Sequence, residues 1–232
     1  MLSNKFKVLL LTCHLATTSM AMSTSCTGIY APIEMLALRD SDGSIIQWPP
    51  YSEASVNGGF AIAAPGNTGF STVFSNLYAF AALNETDGSI VAWGATYSGA
   101  TAAPIGTDFS AIYSTEQAFA ALRASDGSIV AWGHSSYGGS GAPTENNFTT
   151  IYSTCCAFAA LRHDGSIVAW GDSSYGGTLP TIINNMGFSA IYSTSNSFAA
   201  LRESDGSIFA WGYLTQYSYD DDVSGAPSGT GF

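Results

Sequence analysis

Five tyrosines stand at one position of a repeating sequence: Tyr51, Tyr97, Tyr137, Tyr175 and Tyr217. Each follows a tryptophan by a few residues, and several sit beside glycines such as Gly138-Gly139 and Gly176-Gly177. A phenol joins a flat apolar ring to a hydroxyl, and glycine lets the backbone turn tightly. Gathered on one rim, such rings and amides form a mostly apolar, sparsely polar surface suited to a glycan or a peptide. The alternative reading packs the same rings over the edge of each repeat.

Other reactive side chains point to less. Arg39, Arg123, Arg162 and Arg202 share one repeat position, where a ring of guanidinium groups would hold an anion. Each has a turn aspartate two or three residues later, so local pairing is the simpler expectation. Asp220-Asp221-Asp222 offers hard oxygen ligands to calcium, but a solvated acidic loop explains the run as well. Asp40-x-Asp42-Gly43 lacks the closing acid of a calcium loop. Cys26, Cys155 and Cys156 leave a bridge from Cys26 to either partner open, whereas vicinal cysteines rarely bond to each other. The sequence shows no metal-binding cluster, no cofactor motif and no catalytic constellation: His134 and His163 do not recur between repeats, and nucleophile elbow and phosphate loop are both missing. Asn84-Glu85-Thr86 and Asn147-Phe148-Thr149 read as glycosylation sequons in a eukaryotic secretory pathway.

Those side chains must be positioned by a repeated element. Asp-Gly-Ser-Ile-x-x-Trp occurs five times, ending at Trp48, Trp93, Trp132, Trp170 and Trp211, and no tryptophan lies outside this register. The matching aspartates are Asp42, Asp87, Asp126, Asp164 and Asp205. The period of roughly 40 residues is that of a propeller blade. Asp-Gly between β-branched and aromatic runs predicts a hairpin with a type I′ turn. In Ser166-Ile167-Val168-Ala169-Trp170 alternate residues face opposite ways, and both faces are apolar. Each small sheet must therefore be covered on both sides, which face-to-face packing of blades achieves. Tryptophan on such a strand is a core anchor; the competing role is a platform for sugar stacking. The expected fold is all-β, a β-propeller-like array of five repeats of three to four short antiparallel strands. An open β-solenoid is the alternative.

The repeat Phe158-Ala-Ala-Leu-Arg-His-Asp-Gly-Ser-Ile-Val-Ala-Trp-Gly, followed by Ser173-Ser-Tyr-Gly-Gly, resembles the regulator of chromosome condensation repeat. The resemblance covers residues 29–232. It implies a β-propeller, in that family usually built of more and longer blades. It also implies nucleotide exchange on a nuclear GTPase and chromatin binding for the best-known members, and binding scaffolds for others. The low basic content here departs from the chromatin-binding type.

Composition supports a scaffold. Hydrophobic residues make up 46% and charged residues 10%, too apolar and too weakly charged for a disordered chain. The net charge of −11 disfavours a nucleic-acid partner. Residues 1–21 read as a signal peptide, with Lys5 and Lys7 before an apolar stretch and Ser19-Met20-Ala21 as cleavage site. That stretch is too short to span a membrane. Cleavage near Ala21 predicts a secreted, periplasmic or cell-surface protein and removes both lysines. Residues 22–232 then form one repeat domain, with copies near 26–69, 70–108, 109–147, 148–187 and 188–232. Gly231-Phe232 stands where a sixth copy would begin, so the array either closes or belongs to a longer one. The expected function is non-enzymatic: a secreted scaffold binding a protein or glycan through the tyrosine loops. The alternative is a structural surface or matrix protein with no discrete site.

Overall fold

A computed structural model describes residues 6–9, 35–39, 41–48, 66–181 and 185–213. These residues build five antiparallel three-stranded sheets, each with its strands in sequence order. The first holds β1 (Phe6–Leu9), β2 (Met35–Arg39) and β3 (Ile45–Trp48). The second holds β4 (Phe70–Ser75), β5 (Ala79–Asn84) and β6 (Ile90–Gly94), and the third β7 (Phe109–Ser114), β8 (Ala118–Arg123) and β9 (Ile129–Gly133). The fourth holds β10 (Phe148–Ser153), β11 (Ala157–Arg162) and β12 (Ile167–Gly171), and the fifth β13 (Phe188–Ser193), β14 (Ser197–Arg202) and β15 (Ser207–Gly212). The all-β, propeller-like repeat array read from the sequence is therefore the observed fold.

Alternation along the middle strand decides how the sheets stack. Ala79, Ala81 and Leu83 of β5 pack with Phe109, Ile112, Phe119 and Trp132 of the third sheet. Phe80 and Ala82, on the opposite face, pack with Phe70, Val73 and Trp93 and meet Leu38 and Ile45 of the first sheet. The same arrangement recurs between the third and fourth sheets and between the fourth and fifth. Each phenylalanine of the middle strand lies across from its sheet's tryptophan, and the rings stack at 5.1–5.4 Å. Burying each such ring contributes about 1.5–3 kcal/mol. In the second to fifth sheets the first strand begins with a bulge, and the bulged residue uses its hydroxyl. Ser71, Ser110, Thr149 and Ser189 donate to the carbonyls of Leu83, Leu122, Leu161 and Leu201.

The Asp-Gly hairpin differs from the expected two-residue turn. Asn84 donates to the Ser89 carbonyl and Gly88 to the Asn84 carbonyl, leaving a four-residue loop; in the fourth sheet the loop is one residue shorter. Only the glycine takes a positive φ, whereas a type I′ turn needs two such residues. The aspartate is held by its own side chain instead: each accepts the backbone N–H of the serine two residues on at 2.9 Å. Asp-Gly carbonyls then reach the neighbouring repeat. Asp108 and Phe109 donate to the carbonyls of Asp87 and Gly88 at 2.8 and 3.1 Å. Asn147 and Phe148 do the same to Asp126 and Gly127, as do Gly69 and Phe70 to Asp42 and Gly43. A Cβ on Gly127 would lie 2.5 Å from the Phe148 carbonyl oxygen.

The opposite ends of the sheets are joined as well. In the second to fifth sheets two-residue tip turns link the first and second strands, and Leu77 donates to Glu116, Glu116 to Cys155 and Cys155 to Ser195. Cys155 and Cys156 form a disulfide within one such turn, against the expectation that neighbouring cysteines stay apart. Cys26 lies outside the described residues. β1 falls inside the stretch read as a signal peptide: Phe6 pairs with Arg39 as Phe109 pairs with Arg123. A short apolar run satisfies a strand as readily as a signal, and cleavage after Ala21 would strip β1 from β2. Among the described residues no sheet follows the fifth. Its Ala199 and Leu201 are half-buried, and Tyr192 is 63% exposed.

Gly127→Ala should cost about 3 kcal/mol, from the left-handed backbone and the two backbone bonds displaced. Gly141→Ala, with φ +80° but open space around it, should cost about 1 kcal/mol. Denaturant midpoints of the two variants check this, and equal costs would contradict the close approach.

Candidate functional site

The loops after Trp93, Trp132 and Trp170 each fold into a single 3-10 turn: η1 (Thr96–Ser98), η2 (Ser135–Tyr137) and η3 (Ser173–Tyr175). Ala95, His134 and Asp172 precede these turns, and the His134 and Asp172 side chains accept the N–H of Ser136 and Ser174. A left-handed glycine ends each turn, at Gly99, Gly138 and Gly176. These glycines lie under the next sheet's aromatic pair. A Cβ on Gly138 would sit 2.7 Å from the Phe158 ring, and one on Gly176 2.6 Å from the Phe198 ring. The Trp170 and Trp211 indoles donate to the Gly138 and Gly176 carbonyls at 3.0 Å. Trp93, Trp132, Trp170 and Trp211 are 2–4% exposed, so they serve the core, not a ligand. Side-chain facts for Trp48 lie outside the described residues.

Turn and tip are tied together. Thr115 and Thr154 donate their hydroxyls to the Tyr137 and Tyr175 carbonyls at 2.8 and 3.1 Å, and Asn76 donates to Ser98. The tyrosine loops and the tip turns thus share one end of the sheets, here called the tip face. Tyr97 is 46% exposed and Tyr78 40%, with ring centroids 5.5 Å apart. Tyr137 meets His134 edge-on at 5.2 Å, and Tyr175 stacks with Tyr213 at 6.1 Å. Tyr137 and Tyr175 are half-buried, each with part of its ring on an inter-sheet core. These two rings therefore pack at the edge of the repeat with part of each exposed, while Tyr97 is the more open of the three. Tyr51 and Tyr217 lie outside the described residues, as does Asp220-Asp221-Asp222.

Electrostatics single out one carboxylate. Burial pushes the half-buried Glu116 carboxyl above its ordinary range. The Tyr137 hydroxyl is also held up, first by burial and then by the negative Glu116 and by Tyr78, Tyr175 and Asp172. Sequence reading missed Tyr78, Glu116 and Tyr213. The signal was present: tip turns read Leu77-Tyr78, Glu116-Gln117, Cys155-Cys156 and Ser195-Asn196, the least repetitive pair inside an otherwise repetitive unit.

The hairpin end is chemically different. Arg123, Arg162 and Arg202 lie over the Phe109, Phe148 and Phe188 rings at 4.3–4.8 Å. Arg39 and Arg202 approach Asp42 and Asp205 at 3.5 and 4.0 Å, as expected, but Arg162 pairs with Glu145 and Arg123 donates to the Thr107 carbonyl. These commitments leave no guanidinium ring for an anion. Hydrogen bonds from the serine two residues on hold all five turn carboxyls below their ordinary range, with the N–H the larger cause at Asp42, Asp87 and Asp126 and the hydroxyl the larger at Asp164 and Asp205. A groove of about 720 Å³ separates the third and fourth hairpins, lined by Asp126, Glu145, Asn147 and Asp164 among others. Among the described residues no group of three or more metal-ligating side chains forms, and no helix is long and apolar enough to cross a membrane.

No protein-family model and no curated protein sequence matches the chain. Solved structures do. The ectodomain of the receptor kinase CR4 from Physcomitrella patens superposes with a TM-score of 0.53 at 19% identity, over 78% of this chain and 49% of that one. The CRINKLY WD40 ectodomain of the receptor kinase ACR4 from Arabidopsis thaliana gives 0.51 at 17% identity, over 77% and 62%. Prp20p from Saccharomyces cerevisiae gives 0.48 at 16%, over 77% and 56%. The two receptor ectodomains share the fold of this chain, which spans about half to three-fifths of their length.

Because burial raises the Glu116 pKa, its charged form costs stability. That cost is absent below the ordinary carboxyl value of 4.5 and complete above the raised folded value. Glu116→Gln should therefore raise the thermal midpoint at pH 7 and leave it unchanged near pH 4. Melting curves at the two pH values check the sign.

Proposed function

We propose that this protein is a non-enzymatic repeat scaffold that binds a protein or glycan partner through its tip face. The repeat is of the regulator of chromosome condensation type on the residues that match it. Export follows from residues 1–21 acting as a signal, and β2 would then edge the first sheet. The observation that carries the reading is the division of labour between the two ends. At the hairpin end the repeated arginines, aspartates and glycines have partners within the fold. At the tip face, by contrast, Tyr78, Tyr97 and Tyr213 stand 40–52% exposed around half-buried Tyr137 and Tyr175. Aromatic clusters with a few polar groups are what interfaces use for anchoring. The repeated unit builds the frame, and its non-repeated tip residues give the face its individuality.

A second reading, a piece of a longer structural array, is favoured by the open face of the fifth sheet. Ala199 and Leu201 are less covered there than their buried equivalents Ala81 and Leu83 in the second sheet. Nothing about the tip face depends on which reading holds for that edge.

The test uses peptide and glycan arrays probed with the full chain and with Tyr97→Ala and Tyr137→Ala. Each variant should weaken binding of any captured probe roughly fivefold or more, the ordinary cost of truncating an interface anchor. Arrays with no hits, or hits indifferent to both variants, would contradict a tip-face site.

A further inference from the structure

Granted the tip-face reading, we propose that this face takes a cationic partner, an arginine- or lysine-bearing segment of another protein seated among Tyr78, Tyr97, Glu116, Tyr137 and Tyr175. The first support is an asymmetry of charge along the strands. Each arginine ends a middle strand beside the Asp-Gly hairpin, about 20 Å from the tip turn at the strand's other end. Among the described residues the tip face therefore carries no lysine or arginine, and His134 is its only basic side chain. Its acidic side chains among the described residues include Glu116 and Asp172. The surrounding chain has a net charge of −11, so the field around the face attracts cations.

Ring arrangement is the second support. The Tyr78 and Tyr97 rings meet at 56°, and both are largely exposed. Tyr137 stands within electrostatic reach of Glu116, Tyr78, Tyr175 and Asp172. Phenol faces carry negative quadrupole density, and a guanidinium or ammonium over them is held more strongly where water is thin. The protein already uses this pairing at its hairpin end, where arginines cover phenylalanine rings. Tyrosines at the tip have no such cation of their own, so a partner's side chain supplies it. Glu116 is half-buried and short of solvent, so a counter-charge there relieves a cost the fold otherwise carries. Its backbone is fixed by bonds to Leu77 and Cys155, which holds the carboxylate in place. Anionic glycans and phosphate-bearing partners are disfavoured by the same field.

The probe is a fluorescein-labelled octaarginine peptide, followed by anisotropy against the full chain at low and high salt. Binding is expected to weaken as salt rises. Glu116→Gln, Tyr97→Leu and Tyr137→Leu should each weaken it roughly fivefold or more. Glu85→Gln and Glu203→Gln remove the same charge at the hairpin end and should change affinity less than twofold. Equal losses from the tip and hairpin variants would reduce the attraction to net charge and overturn the proposal. So would full binding by Tyr97→Leu together with Tyr137→Leu. Neutral peptides or glycans that bind at the face while octaarginine does not would overturn the cationic assignment alone. No probe of any kind sensitive to these variants would overturn the tip-face reading itself.

Discussion

The close approach of each Asp-Gly hairpin to the backbone of the next repeat is the contact on which the rest depends. Two carbonyls accept two amides at the first three hairpins and one accepts one at the fourth, with no room for a Cβ between them. This sets the distance between neighbouring sheets. At that distance a middle strand can present only small residues and one leucine to its neighbour, so Ala79, Ala81, Ala118, Ala120, Ala157 and Ala159 are all fully buried. The tryptophan fills the remaining gap by sliding beneath the previous repeat's glycine. Glycine therefore recurs for two separate reasons, a left-handed turn and a neighbour that leaves no space.

With the sheets locked at both ends, the two ends diverge in chemistry. The hairpin end spends its polar groups on itself: aspartates on serine amides, arginines on phenylalanine rings, carbonyls on the next repeat. Tip turns need only their backbone for the ladder from Leu77 to Ser195, which leaves the Tyr78 and Glu116 side chains out of it. Such tip residues can differ from repeat to repeat without disturbing the core, because each unit contacts only its neighbours. Glu116 is the clearest case: its backbone is structural while its carboxylate sits where burial penalises charge.

Much of the fold was legible in sequence. The five tryptophans, the Asp-Gly steps and the two apolar faces of Ser166–Trp170 together specify stacked small sheets. The hairpin type was misread because Asp-Gly suggests a two-residue turn when only local geometry is considered; the aspartate side chain and the neighbouring repeat decide otherwise. The Cys155–Cys156 bond escaped for a related reason, since pairing of adjacent cysteines depends on the turn that holds them. Tyr97, Tyr137 and Tyr175 were found through repetition. Tyr78 and Glu116 were missed because they break it, and repetition reveals the frame more readily than the face built on it.

Native-state hydrogen exchange at the amides of Phe109, Phe148 and Phe188 tests the inter-repeat contact most directly. Each donates to the preceding repeat's hairpin glycine and not within its own sheet. Coupled sheets predict that these amides exchange only through the same large opening that frees the buried middle strands Ala118–Arg123 and Ala157–Arg162. Exchange at the rate of the open Gly106 and Gly141 loops would contradict that coupling and show five sheets that merely lie side by side.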